Sequence, residues 1–207
     1  MMSRQDFFNA AAVTWDKSFQ NKKLINFLSQ LVLTFNLKHG QKVLDVGTGT
    51  GILIPFLLKA VGPTGHVTAV DYAEKMIDIC NAKYEGVSNV NIAVQRVENL
   101  DFPQESFNAV TCFGLFPHLE NREEALSRIN CVLKPGGKLI IAHALSSAEI
   151  KAHHRNVAVV AHDVLPGEAE MESLLRQAGF IGVHITDKPG CYVCLSVKQK
   201  LIENIKT

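Results

Sequence analysis

Residues 43–52, VLDVGTGTGI, join a short apolar segment with one acid to three glycines at every second position. The apolar segment predicts a strand, and residues 51–61 predict a helix with Pro55 in its first turn. Glycine lets the backbone turn tightly and lets a ligand approach without meeting a Cβ atom, and the start of a helix offers free N–H groups. The stretch is therefore predicted to be a strand–loop–helix unit, which either binds a nucleotide, a nucleoside or a small anion or is only a tight turn.

Short apolar strands alternate with helices along the rest of the chain. Strands are predicted at KVLDVG, HVTAVD, NVNIAV, FNAVTCFG, KLIIAHA, FIGVHIT and CYVCLSV, with KPGG as a turn before the fifth. Helices are predicted over residues 21–36, 51–61, 73–84, 122–133 and 168–179. The alternation favours an α/β fold with a doubly wound, mostly parallel sheet. The last two strands have no helix between them and are predicted to form an antiparallel hairpin at one edge.

The composition is that of a soluble globular protein of one domain. Of the 207 residues, 47% are hydrophobic and 20% are charged, and the formal net charge is +1. That charge gives no bulk attraction to nucleic acid or to an acidic membrane, although a local basic patch stays open. The start of the chain lacks the apolar core of a signal peptide, and no apolar run reaches the roughly 20 residues of a membrane span. We therefore expect a cytoplasmic protein with no nucleic acid or membrane as partner.

Five cysteines, an odd number, lie within apolar segments, which favours reduced core thiols. Cys191 and Cys194 form a C-x-x-C within a predicted strand, where residues three apart point to opposite faces. Shared ligation by this pair is therefore disfavoured, and no motif of the H-E-x-x-H kind is present. No metal site is predicted.

The glycine loop differs from two common phosphate-binding patterns. The dinucleotide motif G-x-G-x-x-G would need a glycine where Ile52 stands, and no P-loop sequence is present. Asp71 ends the second predicted strand. Its carboxylate suits the two hydroxyls of a ribose, and it equally suits the N-cap of the helix that follows.

Four stretches, in this order and spacing, resemble the class I S-adenosylmethionine-dependent methyltransferases. They are VLDVGTGTG, VTAVDYAEKMIDIC, FNAVTCFGLFPHL and LSRINCVLKPGGKLIIA. The similarity covers roughly residues 40–198 and is strongest to the small-molecule branch that includes quinone-ring methyltransferases. It implies a Rossmann-like sheet of seven strands, S-adenosyl-L-methionine as cofactor with S-adenosyl-L-homocysteine as product, and a small-molecule methyl acceptor. The implied organisation is a single domain over residues 1–207, with a helical lid over 1–38 and the cofactor-binding core over 40–198.

The resemblance also implies where the cofactor is held. The methionine part would be surrounded by Asp45, Gly47, Thr48, Gly49 and Gly51, and Phe113 would lie near the methionine end. Asp71 would hold the ribose hydroxyls. The adenine would contact Tyr72, Met76 and Val97.

At one position the chain departs from the family pattern. Arg96 stands where the family usually has an acid, and a guanidinium cannot accept a hydrogen bond. The contact with the adenine amino group would then fall to Glu98 or to a backbone carbonyl.

Methyl transfer from a sulfonium depends mainly on placing the acceptor in line with the methyl group, and it needs a base only when the nucleophile starts protonated. The candidates for a base are His118 and His143, which follow the fourth strand and end the fifth. His153, His154 and His162 lie in the insert 148–163, which can fold over the same mouth and contact the substrate. For each of these histidines a purely structural role is the alternative.

Phe7, Phe8 and Trp15 lie before the predicted sheet and belong either to a helix packed on the core or to a lid over cofactor and substrate. Trp15 and Asp16 resemble the aromatic–acid pair found in this part of the family.

A non-catalytic S-adenosylmethionine-binding protein with a regulatory or assembly role is the alternative function, and Ile52 argues against an oxidoreductase. The sequence fixes neither the acceptor nor the oligomeric state.

Overall fold

The structure, a computed structural model, describes residues 2–19 and 22–200, and within them a sheet of seven strands runs through the molecule. The strands are β1 (Lys42–Val46), β2 (His66–Asp71), β3 (Val90–Val94), β4 (Phe107–Phe113), β5 (Leu133–His143), β6 (Phe180–Lys188) and β7 (Cys191–Lys198). The helices are α1 (Arg4–Trp15), α2 (Lys22–Thr34), α3 (Ile54–Val61), α4 (Glu74–Lys83), α5 (Arg122–Val132), α6 (Ser147–His154) and α7 (Glu168–Gln177). The predicted start of α2 at residue 21, and residues 1 and 201–207 of the predicted domain, lie outside the described residues.

The strand order is β3-β2-β1-β4-β5-β7-β6. The pairs among β1 to β5 are parallel, whereas β7 pairs antiparallel with both β5 and β6. The predicted doubly wound sheet with a C-terminal antiparallel hairpin is thereby confirmed. The chain reverses its direction of travel at β1, which lies between β2 and β4, and ligands bind beyond the strand ends at such a point.

The sheet is covered on both faces, because neighbouring residues of its central strands point to opposite sides. On β1, Val43 packs with the cluster that includes α2 and α3, and Leu44 packs with the cluster that includes α5 and α7. Both side chains have no exposed surface. Apolar burial of this kind contributes roughly 25 cal/mol per Å², and it explains why the central strands are almost continuously apolar.

Three elements differ from the sequence predictions. The KPGG segment, predicted as a turn, lies inside β5: Phe107 pairs with Leu133 and Ala109 with Lys138, so β5 carries extra residues between these pairs and bulges there. Helix α3 begins at residue 54 instead of 51, because the glycine loop first makes a turn, although Pro55 does lie in its first turn. Helix α6 was not assigned as an element from the sequence, and it begins with a capping box between Ser146 and Glu149.

Helix α1 is placed across the strand ends by polar contacts with β2 and α4. Gln5 Nε2 donates to the backbone oxygen of Tyr72 at 2.9 Å, and Asn9 Oδ1 accepts from the backbone N–H of Lys75 at 3.0 Å. A capping box between Ser3 and Asp6 starts the helix.

Among the described residues, no helix is long and apolar enough to cross a membrane.

Candidate functional site

A cleft with about 1000 Å³ of empty volume opens at the carboxyl ends of β1, β2 and β4. Its walls come from the glycine loop, the end of β2, the segments after β3 and β4, and one face of α1. Among the predicted site residues, those that line it are Asp45, Gly47, Thr48, Gly49, Asp71, Tyr72, Met76, Val97, Glu98, Phe113, Trp15 and His118.

The glycines of the loop have two different roles. Gly47 has a φ of 70°, and a Cβ atom there would lie 2.9 Å from Leu115 Cβ on the far wall of the cleft. Gly51 has a φ of 84°, and a Cβ atom there would lie 2.6 Å from Tyr84 and 2.7 Å from Cys80 Sγ. Gly47 therefore keeps the cleft open, whereas Gly51 lets the loop pack on α4 and does not line the cleft.

The Asp71 carboxylate fastens the end of β2 to the glycine loop. Its Oδ2 accepts from the backbone N–H of Gly49 at 2.8 Å, and its Oδ1 accepts from the backbone N–H of Ala73 at 2.9 Å. Ala73 is itself the N-cap residue of α4, so Asp71 is not the N-cap. Burial raises the pKa of Asp71, and these two hydrogen bonds oppose the rise. Each oxygen keeps a further lone pair, which fits the two hydroxyls of a ribose.

Asp45 is 1% exposed and is held from both sides within the cleft floor. It accepts hydrogen bonds from Thr48 Oγ1 at 2.7 Å and from Thr111 Oγ1 at 2.6 Å. Burial raises the pKa of Asp45 to about 6, although the two hydroxyl hydrogen bonds oppose it and the neighbouring Asp71 adds to it. The side chain thus ties the loop to β4 and fixes the position of Thr48.

Arg96 lines the cleft, where it contacts Tyr72 and Glu98. Its guanidinium lies 5.0 Å from the centre of the Tyr72 ring and forms an ion pair with Glu98, whose Oε2 is 3.7 Å away. The Glu98 side chain is 15% exposed and lines the cleft beside Val97 and Met76. A carboxylate therefore stands near the predicted adenine position, and Arg96 lies over the Tyr72 ring.

Helix α1 closes one side of the cleft with aromatic side chains. The Phe8 ring meets the rings of Trp15 at 6.0 Å, Tyr72 at 6.2 Å and His118 at 5.2 Å, all edge to face. Phe7, which was predicted for the lid, packs against Phe8 and does not line the cleft. The residue next to it in the chain takes that position instead.

The end of α1 is fastened to the glycine loop and to α4. Asp16 accepts a hydrogen bond from Thr50 Oγ1 at 2.6 Å and forms an ion pair with Lys83 at 2.5 Å. Trp15 comes just before it in the chain, and its indole Nε1 lies 3.5 Å from the point where a Cβ atom on Gly49 would be. The aromatic–acid pair noted in the sequence thus anchors this helix at the cofactor side of the cleft.

The predicted histidines divide into one at the cleft and four away from it. His118 is 12% exposed, lines the cleft, and its Nδ1 lies 2.7 Å from Asp163 Oδ2. His143 is buried behind it, where burial first and then His118 and His154 lower the pKa of His143 to about 3. His154 is buried against His118, with ring centres 4.9 Å apart, and His153 and His162 are exposed. His143, His153, His154 and His162 do not line the cleft.

Arg4 and Asp163 were missed by the sequence reasoning, and they meet at the mouth of the cleft. Arg4 Nη2 and Nε donate to Asp163 Oδ1 and Oδ2 at 2.7 and 3.2 Å, and Arg4 Nη1 lies 3.3 Å from Glu120 Oε1. The capping pattern at Ser3 could have located Arg4 in the first turn of a helix. No local signal pairs it with an acid 159 positions away.

Among residues 2–19 and 22–200, no group of three or more His, Cys, Asp or Glu side chains could hold a metal ion.

The fold and the glycine-loop cleft agree with a family match: residues 43–137 fit the family model described as a methyltransferase domain. The chain is thus similar to S-adenosylmethionine-dependent methyltransferases, the class that its sequence motifs resemble.

Particular relatives cover nearly the whole chain. Demethylmenaquinone methyltransferase of Staphylococcus aureus is 28% identical, over 91% of this chain and 87% of that protein. An S-adenosylmethionine-dependent methyltransferase of Aquifex aeolicus is 24% identical, with a TM-score of 0.70 over 89% of this chain and 97% of that one. Phosphoethanolamine N-methyltransferase 2 of Haemonchus contortus, solved with S-adenosyl-L-methionine, is 18% identical, with a TM-score of 0.76 over 95% of this chain and 59% of that one. The two solved structures support the fold.

Proposed function

We propose that the protein transfers the methyl group of S-adenosylmethionine to a small-molecule acceptor. The observation that carries the proposal is a single cleft with two kinds of wall. One wall has the glycine loop, Asp71 and Glu98, which suit a nucleoside with an amino acid tail. The other has Phe113, Leu115 and His118, which suit an apolar molecule with one polar group.

In this proposal the chain binds the cofactor through residues that it already holds in place. Asp71 accepts hydrogen bonds from the ribose hydroxyls, and Glu98 accepts one from the adenine amino group. Tyr72, Met76 and Val97 pack on the adenine. Asp45, Gly47, Thr48, Gly49 and Phe113 surround the methionine part, and Gly51 acts indirectly through the shape of the loop. When bound, the cofactor supplies a methyl group that its sulfonium has already activated. The chain orients the acceptor toward that group and excludes water from it.

The acceptor side of the cleft is formed by α1 and by the segment after β4. We propose that residues 1–38 act as a helical cap and residues 40–198 as the core, because Phe8 and Trp15 of α1 cover a cleft whose floor is the sheet. The partly apolar wall of the cleft favours a small planar molecule as acceptor. A relative named for demethylmenaquinone supports an acceptor of this kind. The five free cysteines support a cytoplasmic location.

Two measurements on the purified protein test the proposal. Calorimetric titration with S-adenosylmethionine is expected to show one site, and mass spectrometry is expected to show a product 14 Da heavier (about one CH₂) with at least one hydroxylated aromatic or quinol compound. Absence of cofactor binding by a folded protein would refute the proposal. Cofactor binding without product from any acceptor class would favour the non-catalytic regulatory or assembly role.

A further inference from the structure

A carboxylate that belongs to no strand end fixes the orientation of His118. Asp163 lies between α6 and α7 with its side chain 4% exposed, and its Oδ2 is 2.7 Å from His118 Nδ1. Its backbone oxygen is also 2.6 Å from His154 Nδ1, so the side chain and the backbone of Asp163 both contact a histidine. The His118 ring is therefore clamped between Asp163, His154 and Phe8.

The chemistry of this contact determines which ring nitrogen of His118 carries a proton. Burial opposes the ionisation of Asp163, but the hydrogen bonds from His118 and Arg4 outweigh it and lower the pKa of Asp163 to about 2. An ionised carboxylate can only accept hydrogen bonds, so His118 Nδ1 must be the donor. In the neutral ring, Nε2 is then an acceptor with a free lone pair.

The groups that face His118 leave Nε2 as its only nitrogen for a ligand. From α6 comes His154, whose pKa is lowered mainly by burial. From β5 comes His143, which is neutral for the same reason. Helix α1 contributes Phe8, which contacts the His118 ring, and Arg4, which contacts Asp163. Glu120, on the same segment as His118, forms an ion pair with Arg4.

We propose that Asp163 is a positioning residue that holds His118 with Nε2 toward the cleft, and that His118 Nε2 takes a proton from a hydroxyl group on an apolar ring of the acceptor. This inference rests on the proposed methyl transfer and names its acceptor class. The acceptor O–H bond breaks and its proton goes to Nε2, while the oxygen bonds to the methyl carbon and the carbon–sulfur electron pair stays on sulfur. The apolar neighbours Phe8, Leu115 and Leu119 on the cleft wall fit the ring.

Arg4 makes this arrangement dependent on α1. Its Nη2 donates to Asp163 Oδ1 at 2.7 Å, whereas Oδ2 accepts from His118 Nδ1 at 2.7 Å and from Arg4 Nε at the longer distance of 3.2 Å. In an Asp163→Asn variant the amide oxygen keeps the shorter Arg4 contact, and the amide NH₂ then faces His118 Nδ1. That donor forces the proton of the imidazole onto Nε2, where it blocks proton acceptance; the same change in the Ser-His-Asp triad, a worked example of this effect, selects the wrong tautomer.

The test is long-range ¹⁵N NMR of His118 in the wild type, in Asp163→Asn and in Arg4→Gln, each saturated with S-adenosylhomocysteine. We expect the Nδ1–H tautomer in the wild type and in Arg4→Gln, and the Nε2–H tautomer in Asp163→Asn. Arg4→Gln is the matched control, because it removes the same ion pair and keeps the carboxylate. An Nε2–H tautomer in the wild type would overturn the proposal even if neither variant folds.

The acceptor class is tested with 2-naphthol as the probe, bound to the same complexes. We expect its binding to shift the Nε2 resonance of the wild type and to weaken about tenfold in Asp163→Asn, the loss of one hydrogen bond. No binding of 2-naphthol, or binding without a shift at Nε2, would overturn the hydroxylated-ring acceptor. Calorimetry with S-adenosylmethionine separates the two proposals, since its failure in the wild type refutes the methyl transfer and leaves the tautomer result standing.

Discussion

The Asp71 carboxylate and the backbone N–H of Gly49 are 2.8 Å apart, which connects the two strand ends of the cofactor side. The same carboxylate accepts from Ala73 at the start of α4. One side chain therefore sets the distance between the glycine loop and the wall on which a ribose would rest.

Asp71→Ala is expected to weaken S-adenosylmethionine binding by about 1–3 kcal/mol, the cost of losing a charged hydrogen-bond acceptor. Calorimetric titration measures this change. Asp78→Ala, which removes an exposed carboxylate from α4, is the control and should leave the affinity unchanged. Equal affinity for the wild type and a folded Asp71→Ala variant would contradict the ribose role.

Gly47→Ala is expected to lower stability and to prevent cofactor binding. A side chain at its φ of 70° costs about 1–2 kcal/mol, and its Cβ would enter the cleft against Leu115. Gly86→Ala is the matched control, with a φ of 79° and no atom within 4 Å of the added Cβ. Urea unfolding should show the strain of the positive φ in both variants and a larger loss for Gly47→Ala, which adds the contact with Leu115, and calorimetry should show lost binding only for Gly47→Ala. Normal binding by Gly47→Ala would mean that the cofactor lies elsewhere.

The single tryptophan, Trp15, lines the cleft and should report on cofactor binding through its fluorescence. Titration with S-adenosylmethionine is expected to change the emission in a saturable way, because the ligand would replace water beside the indole. Gly47→Ala should show no such change at the same concentrations. A wild-type signal that stays constant while calorimetry detects binding would place the ligand away from α1.

His143→Gln is expected to bind the cofactor normally and to lose one component of acid sensitivity. The pKa of His143 is lowered to about 3, so below pH 6.5 the unfolded chain takes up a proton that the folded chain does not. The stability from the neutral imidazole is complete above pH 6.5 and is lost as the pH falls toward 3. At about 1.4 kcal/mol per pH unit, the wild type should lose about 2 kcal/mol relative to His143→Gln between pH 7 and pH 5.

Urea unfolding of both proteins at the two pH values measures this difference. A constant difference would show that His143 is not held neutral. A fall in cofactor affinity would return His143 to the site, although the structure places it behind His118.

The positions of the seven strands along the chain could be predicted, because apolar periodicity and glycine positions are local properties. The loop after β1 and Asp71 were found for this reason, and the structure brings both to one cleft. The bulge at KPGG could not be predicted, since it depends on how β5 pairs with β4. In the chain, Gly136 and Pro135 favour a turn, but pairing across the sheet extends the strand through them.

The histidines show where local reasoning ends. His118 comes after β4 and His143 ends β5, yet only His118 reaches the cleft, because His143 still pairs with Tyr192 inside the sheet. The partner of His118, Asp163, comes from a segment with no periodic pattern. Its contact with Arg4 joins the first helix to a segment near the other end of the domain, and only the folded chain reveals that distance.

The last strand among residues 2–19 and 22–200, β7, lies inside the sheet between β5 and β6. During synthesis, a chain that has reached only residue 190 therefore presents the bare edge of β5, an apolar strand whose N–H and C=O groups have no neighbour. Such an edge invites pairing with other chains until β7 is inserted. We expect a chain truncated after residue 190 to aggregate, as light scattering would show, so the final strand protects the nascent protein as well as completing its sheet.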